Sequence, residues 1–368
     1  MHFIIDAHED LAWNMLTYGR DYTRSALETR RLEADTPTVA VNGECLIGWP
    51  EYQAGRVIAV FSTLYASPKR AVLDASEKIF YLDSDYESAH RLYWQQLELY
   101  HRLADSRPSH FRLIASRADL REHLALWESP SAQAGRPVGL IPLMEGADGI
   151  RSPRELAQWW DFGLRLIGLA WAGTRYSGGT NEPGPLTSEG RALLRVMADF
   201  PFTLDLSHMD EAAALEALDL YDGPIVATHA NCLALLEKET RYRNRHLSDR
   251  VLRGIIEREG IIGIVPFNTF LKPGWGRANG SRRAEVPLSA LADHLDHICQ
   301  LSGNARHAAL GSDFDGGFGL QSVPPEINTI ADLQKIADFM IPRGYTDEAV
   351  AAVLGKNWLR HLETHLPA

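Results

Sequence analysis

FTLDLSHMDEAAALEALDLYDGPIVATH, residues 202–229, decides the fold. Phe202 to Leu206 is a short apolar strand that ends in Ser207-His208. Glu211 to Leu218 is helical. Pro224 to Thr228 is a second strand, and it ends in His229. Strand, helix, strand is the rhythm of a parallel βαβ unit. Both strands carry a histidine at their carboxyl end.

The rhythm continues on both sides. Downstream, Leu247 to Glu259 is helical with Ser248 as cap, Ile261 to Val265 is a strand, and Leu288 to Leu301 is helical. His307 to Leu310 is a short strand ending in Gly311-Ser312-Asp313, and two or three helices close the chain. Upstream, Pro137 to Met144 is a strand ending in Glu145-Gly146, and Ser152 to Phe162 is helical. Leu164 to Ala170 is a strand, and Leu186 to Asp199 is a helix opening on Thr187. Before these come a helix after Ser116, helical spacing from Ala71 to Leu103, a β-branched strand from Arg56 to Leu64, and an opening strand from Phe3 to Asp10. Eight strands, most separated by helices, predict a (β/α)8 TIM barrel. Residues 11–136 hold only one clear strand, so helical insertions are expected there. Residues 1–368 read as one decorated barrel domain rather than two domains.

Composition narrows the function. The net charge of −11 argues against a general nucleic-acid binder, which needs a basic face. Cys45, Cys232 and Cys299 are too scattered for a disulfide framework or a cysteine-rich metal site. No apolar run approaches ~18 residues, so no membrane span is expected. The start shows no signal-peptide pattern, and a cytoplasmic location is the default expectation.

In such barrels the chemistry sits at the carboxyl ends of the strands. Those ends carry His8 and Asp10, Glu145, His208, His229 and Asp313, with Asp315 two residues on. Side chains at i and i+2 of a strand share a side, so His8 and Asp10 should converge. Each group also has a plainer reading. H-x-D occurs three times, and His294/Asp296 lies in an amphipathic helix, where a solvated face is expected. A histidine after a strand is often structural, and Asp313 to Gly317 could be a turn. Five strands placing such groups on one rim outweigh these readings and point to a metal centre. Three histidines and two or three carboxylates exceed one four-coordinate zinc, but they suit two ions ~3.5–4 Å apart under a bridging carboxylate. None of the six lysines sits at a predicted strand end to bridge as a carbamate. Glu145 is the natural bridge, with His8 and Asp10 on one ion and His208 and His229 on the other.

With those residues in view, the chain resembles the membrane dipeptidase (renal dipeptidase) family of the amidohydrolase superfamily. The resemblance runs nearly end to end. It rests on D-x-H-x-D-L at Asp6 to Leu11, E-G-A-D at Glu145 to Asp148 and D-L-S-H at Asp205 to His208. Thr228-His229, G-S-D-F-D-G at Gly311 to Gly316 and the G-x-N-x-L-R pattern at Gly355 to Arg360 complete it. The resemblance implies a binuclear zinc enzyme that hydrolyses dipeptides, often tolerating a D-residue at the C-terminal position. It implies that Asp313 handles the proton of the attacking water as base and then acid. It implies an arginine that grips the substrate carboxylate. Alignment on Leu247-Ser248-Asp249 selects Arg245, with His246 where the family has Asn; Arg243, followed by a true Asn, is the rival. A homodimer is implied by the same resemblance.

One position departs. Where the family often has a histidine after the fourth strand, this chain has Trp171, which can donate one hydrogen bond but carries no charge. Trp171 is taken as a substrate-side residue. The expected activity is therefore a two-zinc dipeptidase, with Mn2+ or Co2+ as other ions the ligand set suits. The alternatives are a related amidohydrolase acting on N-acyl amino acids, β-lactams or lactones, and a non-catalytic metal-binding protein.

Overall fold

The computed structural model describes residues 1–72, 77–129 and 135–368. Eight strands form its centre: β1 (Ile4–Glu9), β2 (Val57–Tyr65), β3 (Val138–Glu145), β4 (Leu166–Gly168), β5 (Thr203–Asp205), β6 (Ile225–Val226), β7 (Ile262–Ile264) and β8 (Ala308–Leu310). All neighbouring pairs from β1 to β6 are parallel, as are β7 and β8. A bridge between Ala227 and Ile262 joins β6 to β7. The ring closes where the Asp313 N–H donates to the His8 carbonyl at 3.1 Å and Phe314 bridges Glu9. This is the TIM-barrel class that the strand rhythm predicts.

Ile5, Ala7, Phe61, Ile141, Leu143, Val226 and Ala309 belong to one buried cluster. They come from strands spread around the ring, so they can meet only inside it. Each large side chain removed from water there contributes about 1.5–3 kcal/mol. The last helix, Asn357–His365, closes the end where the strands begin: Trp358 packs edge-on to Phe61 at 5.1 Å, and His361 Nε2 lies 2.9 Å from Thr203 Oγ1.

Helices Leu11–Tyr18, Ala26–Glu33, Thr38–Asn42 and Trp49–Gly55 separate β1 from β2, and Tyr86–Ser106 and Arg117–Glu128 separate β2 from β3. Ser116, Thr187 and Ser248 cap their helices through the side chain, satisfying backbone donors that would otherwise lack a partner.

Two sequence expectations are corrected. The helix placed at Ala71 to Leu103 begins only at Tyr86, because the Asp85 carboxylate accepts from Ser88 N and nucleates the first turn there. Upstream, Phe80–Tyr81 pairs with Ser67–Pro68 as a two-stranded ladder; residues 73–76 of that stretch lie outside the described residues. His294 does not face solvent. It is buried, and its Nδ1 accepts from Cys232 N at 3.1 Å. Its helix packs by the face that carries His294 as well as by its leucines.

His294, His123 and His361 are buried imidazoles remote from the strand-end cluster. Burial pushes His123 down to about 4 and His294 and His361 down to about 3. A folded-state pKa below the unfolded value stabilises above pH ~6.5, and that stability is lost as pH falls toward the folded value. Each group should therefore cost roughly 1–2 kcal/mol between pH 6.5 and pH 5. Urea midpoints across that range are expected to fall, and His361→Gln should flatten the slope by about one histidine's share. An unchanged slope in the variant would count against this origin of acid sensitivity.

Candidate metal centre

β1 does not deliver its two groups by simple alternation. Its register with β2 slips between Asp6 and Glu9, and the strand ends at Glu9. Asp10 stands at the entrance of the helix Leu11–Tyr18. The slip turns His8 and Asp10 to the same side, with His8 Nε2 3.8 Å from Asp10 Oδ2. Glu9 turns away and accepts from the Tyr52 hydroxyl.

Glu145 ends β3, where Gly146 leaves the strand at a φ of +78° and Tyr93 donates to the Glu145 carbonyl at 2.7 Å. Its two carboxylate oxygens face different partners. Oε2 is 3.7 Å from His8 Nε2, while Oε1 is 2.9 Å from His208 Nε2 and 3.1 Å from His229 Nε2. Asp313 Oδ1 is 3.9 Å from His8 Nε2. The six groups named from the sequence thus meet at one point on the barrel's carboxyl face. Among the described residues, His8, Glu145 and His229 form one set of donor atoms within 4.8 Å of one another, and His8, Asp10 and Asp313 form a second.

The backbone is strained at this point. His208, Asp313 and Asp315 have φ of +66°, +56° and +63°, a region that costs non-glycine residues energy and persists where surroundings enforce it. Gly316 closes the Asp313 turn, and a Cβ there would meet Asp313 Oδ1 at 2.2 Å and Asp10 Oδ2 at 2.8 Å.

The outer nitrogens of two imidazoles are held by hydroxyls. Thr228 Oγ1 donates to Asp205 and lies 2.9 Å from His229 Nδ1. Its single proton goes to Asp205, so His229 donates from Nδ1 and turns a bare Nε2 to the cluster. Thr180 Oγ1 sits 2.9 Å from His208 Nδ1. His208 Nε2 and His229 Nε2 are 3.0 Å apart, close to the roughly 3.3 Å expected for two nitrogens on one tetrahedral ion.

Charge follows from crowding. Burial pushes Asp10 up to about 7, against the pull of His8. Burial also raises Asp313 well above the carboxylate range; Asp10 and Glu145 add to the rise, while His8 and Arg245 oppose it. Glu145 goes the other way: burial raises it, but His8 and His208 outweigh burial and hold it well below the usual range. His8 is driven to about 10 by Glu145, Asp10 and Asp313 in spite of burial, whereas burial and Arg245 lower His208 to about 4. Three crowded carboxylates, two of them buried, compete for positive charge here. Both ring nitrogens of His8 and Asp10 Oδ1 are buried without a hydrogen-bond partner. Unpartnered donors of this chemistry, in this number, fit divalent cations.

Arg245 lies beside the cluster and Arg243 does not. Arg245 is buried, its Nη2 donates to the His229 carbonyl at 2.7 Å, and its Nη1 has no hydrogen-bond partner; Arg243 is exposed. Trp171 is half-buried, with its ring 6.2 Å from that of His208 and 5.0 Å from that of Tyr65. Sequence reasoning missed several supporting groups. Asp205 and Thr228 sit inside the motifs it quoted and could have been found there. Thr180, in a Gly- and Pro-rich loop, gave no signal. Asp315 is not a simple turn residue: it is buried, pairs with Arg20 at 3.0 Å and accepts from Leu46 N and the Tyr22 hydroxyl. Among the described residues no helix is long and apolar enough to cross a membrane.

A family model described as membrane dipeptidase (peptidase family M19) matches residues 1–365. An uncharacterised protein of the pqqA 5′ region of Klebsiella pneumoniae is 30% identical over 280 residues, covering 73% of this chain and 94% of that one. The crystal structure of a metallopeptidase called dipeptidase AC superposes with a TM-score of 0.75 at 26% identity, over 100% of this chain and 99% of that chain. A metallopeptidase from Rhodobacter sphaeroides, liganded with a phosphinate mimic of the dipeptide L-Ala-D-Ala, shares the fold with a TM-score of 0.76 at 24% identity, over 99% of both chains. This chain belongs to the membrane dipeptidase family, peptidase family M19, and is by class a metallo-dipeptidase, a hydrolase of peptide bonds.

Proposed function

We propose that the chain is a two-zinc dipeptidase whose ions are held by His8, Asp10 and Glu145 on one side and by Glu145, His208 and His229 on the other. The split of Glu145, one oxygen toward His8 and the other toward His208 and His229, carries this reading. Because β1 through β8 all frame that point, residues 1–368 are read as one functional barrel domain. Divalent ions bound by these residues would supply Lewis acidity toward water and an acyl oxygen. The side chains do the rest. Asp313 takes the proton of the attacking water and delivers it to the departing amine. Arg245 has a free, buried Nη1 with which to grip the substrate's carboxylate, which restricts hydrolysis to short substrates. Trp171 and Tyr65 supply an apolar wall beside His208 that excludes water from the scissile bond.

The test is a substrate series with metal analysis. L-L and L-D dipeptides should be hydrolysed by a chain holding two ions, and C-terminally amidated dipeptides poorly. Arg245→Met should raise KM for free dipeptides by roughly 10- to 100-fold, the worth of a charge-assisted hydrogen bond, and leave the amidated ones unchanged. Faster turnover of N-acyl amino acids, β-lactams or lactones than of any dipeptide would favour a related amidohydrolase and give Trp171 a different substrate to face.

A further inference from the structure

A β-hairpin made of Ser177–Gly179 and Glu182–Leu186 lies over the loop that carries Trp171. It packs backbone to backbone. A Cβ on Gly179 would meet Ala172 O at 2.3 Å and Trp171 O at 2.8 Å, so the approach requires glycine. Arg70 fastens the hairpin's far strand through Glu182, at 2.7 and 2.8 Å, and also donates to Gly173 O at 2.7 Å. On the near side, Asp210 N donates to Gly178 O at 3.2 Å, and Gly179 bridges Met209, the residue after His208.

Thr180, at the turn, touches three segments of the site at once. Its N–H donates to Trp171 O at 3.0 Å. Its hydroxyl is 2.9 Å from His208 Nδ1 and makes a longer contact as donor to His208 O at 3.5 Å. Its carbonyl accepts from Asn244 Nδ2 at 3.3 Å, and the same amide group donates to Gly179 O at 2.8 Å. Asn244 is the residue before Arg245.

We propose that Thr180 is a positioning residue that fixes the tautomer and orientation of His208 and couples them, through Asn244, to the loop that carries Arg245. The proposal rests on the two-metal reading above and adds a link that reading does not need. A hydroxyl that gives its proton to His208 O can only accept from Nδ1–H, which leaves Nε2 bare toward Glu145 Oε1 and His229 Nε2. Partners of this kind typically change metal affinity 10- to 100-fold when removed. The link through Asn244 ties the loop that grips substrate through Arg245 to the turn that holds His208.

The experiment measures ion content and affinity by chelator competition, with KM and kcat for one dipeptide, in the wild type, Thr180→Val, Thr180→Ser, Asn244→Ala and Glu145→Gln. The wild type should hold two ions. Thr180→Val should keep one tightly and bind the other on the order of 10- to 100-fold more weakly, and Thr180→Ser should restore it. Asn244→Ala should raise KM by roughly fivefold or more and also weaken the same ion. A two-ion wild type whose Thr180→Val keeps both at full affinity overturns this proposal alone. Asn244→Ala that raises KM with ion affinity unchanged overturns the coupling, and it decides alone if Thr180→Val does not fold. A wild type with fewer than two ions, matched by Glu145→Gln, overturns the two-metal reading and this link with it.

Discussion

Glu145→Gln is expected to lose ion content and to lower dipeptide hydrolysis by about a thousandfold or more, because it removes the charge that both half-sites share. Glutamine has the same shape, so the substitution tests charge and acceptor number rather than packing. The wild-type carboxylate offers one oxygen to His8 and the other to His208 and His229. An amide can offer only one oxygen, and its NH2 must then face one of the two half-sites, where it cannot ligate a cation. Ion content should therefore fall from two to at most one per chain. The fold should survive, since Tyr93 holds Glu145 through its backbone carbonyl and not through the carboxylate. A Glu145→Gln chain with two ions and full activity would sink the two-metal proposal.

The barrel was legible because each short apolar strand runs into a polar residue and then a helix, a rhythm set by period and not by packing detail. The strand lengths were less legible. Phe202–Leu206 narrows to Thr203–Asp205, and Pro224–Thr228 narrows to Ile225–Val226, because ladder pairing ends where the strands of a tilted ring diverge. Positions at the rim could be read; the geometry that brings them together could not. Alternation predicted that His8 and Asp10 converge, yet a register slip and a helix entrance produce that convergence. Strain at His208, Asp313 and Asp315 leaves no trace in a periodicity. Groups that act through loops were invisible for the same reason. Thr180 and Asn244 meet across 64 residues, and Arg20 and Asp315 across far more. Alignment favoured Arg245 but left Arg243 a rival in the same basic run, and burial separates the two.

Asp313 and Asp315 make the second large prediction, because two aspartates two residues apart, both at positive φ, should fail in different ways. Asp313→Asn is expected to lower kcat by roughly 10²- to 10⁴-fold with KM and ion content nearly unchanged, as removal of a proton carrier does. Asn keeps the shape, and the Asp313 N–H that closes the ring onto the His8 carbonyl is untouched. The carboxylate itself has room to exchange a proton: it is partly exposed and stands 3.9 Å from His8 Nε2. Asp315 is fully buried, and its carboxylate holds Arg20, Leu46 N and the Tyr22 hydroxyl, tying the inserted segment between β1 and β2 to the β8 loop. Asp315→Asn leaves Arg20 with Glu33 as its remaining carboxylate partner and weakens the hold on Leu46 N and the Tyr22 hydroxyl, a defect worth about 1–3 kcal/mol of stability. Its signature should be a lower urea midpoint, with kcat recovering as ion concentration and lower temperature restore the folded fraction. Asp313→Asn should show the reverse, a full midpoint with no recovery of kcat. If Asp313→Asn instead loses an ion, then Asp313 is a ligand of the His8 half-site, in line with the donor set it forms with His8 and Asp10, and the proton carrier must be sought elsewhere on the rim.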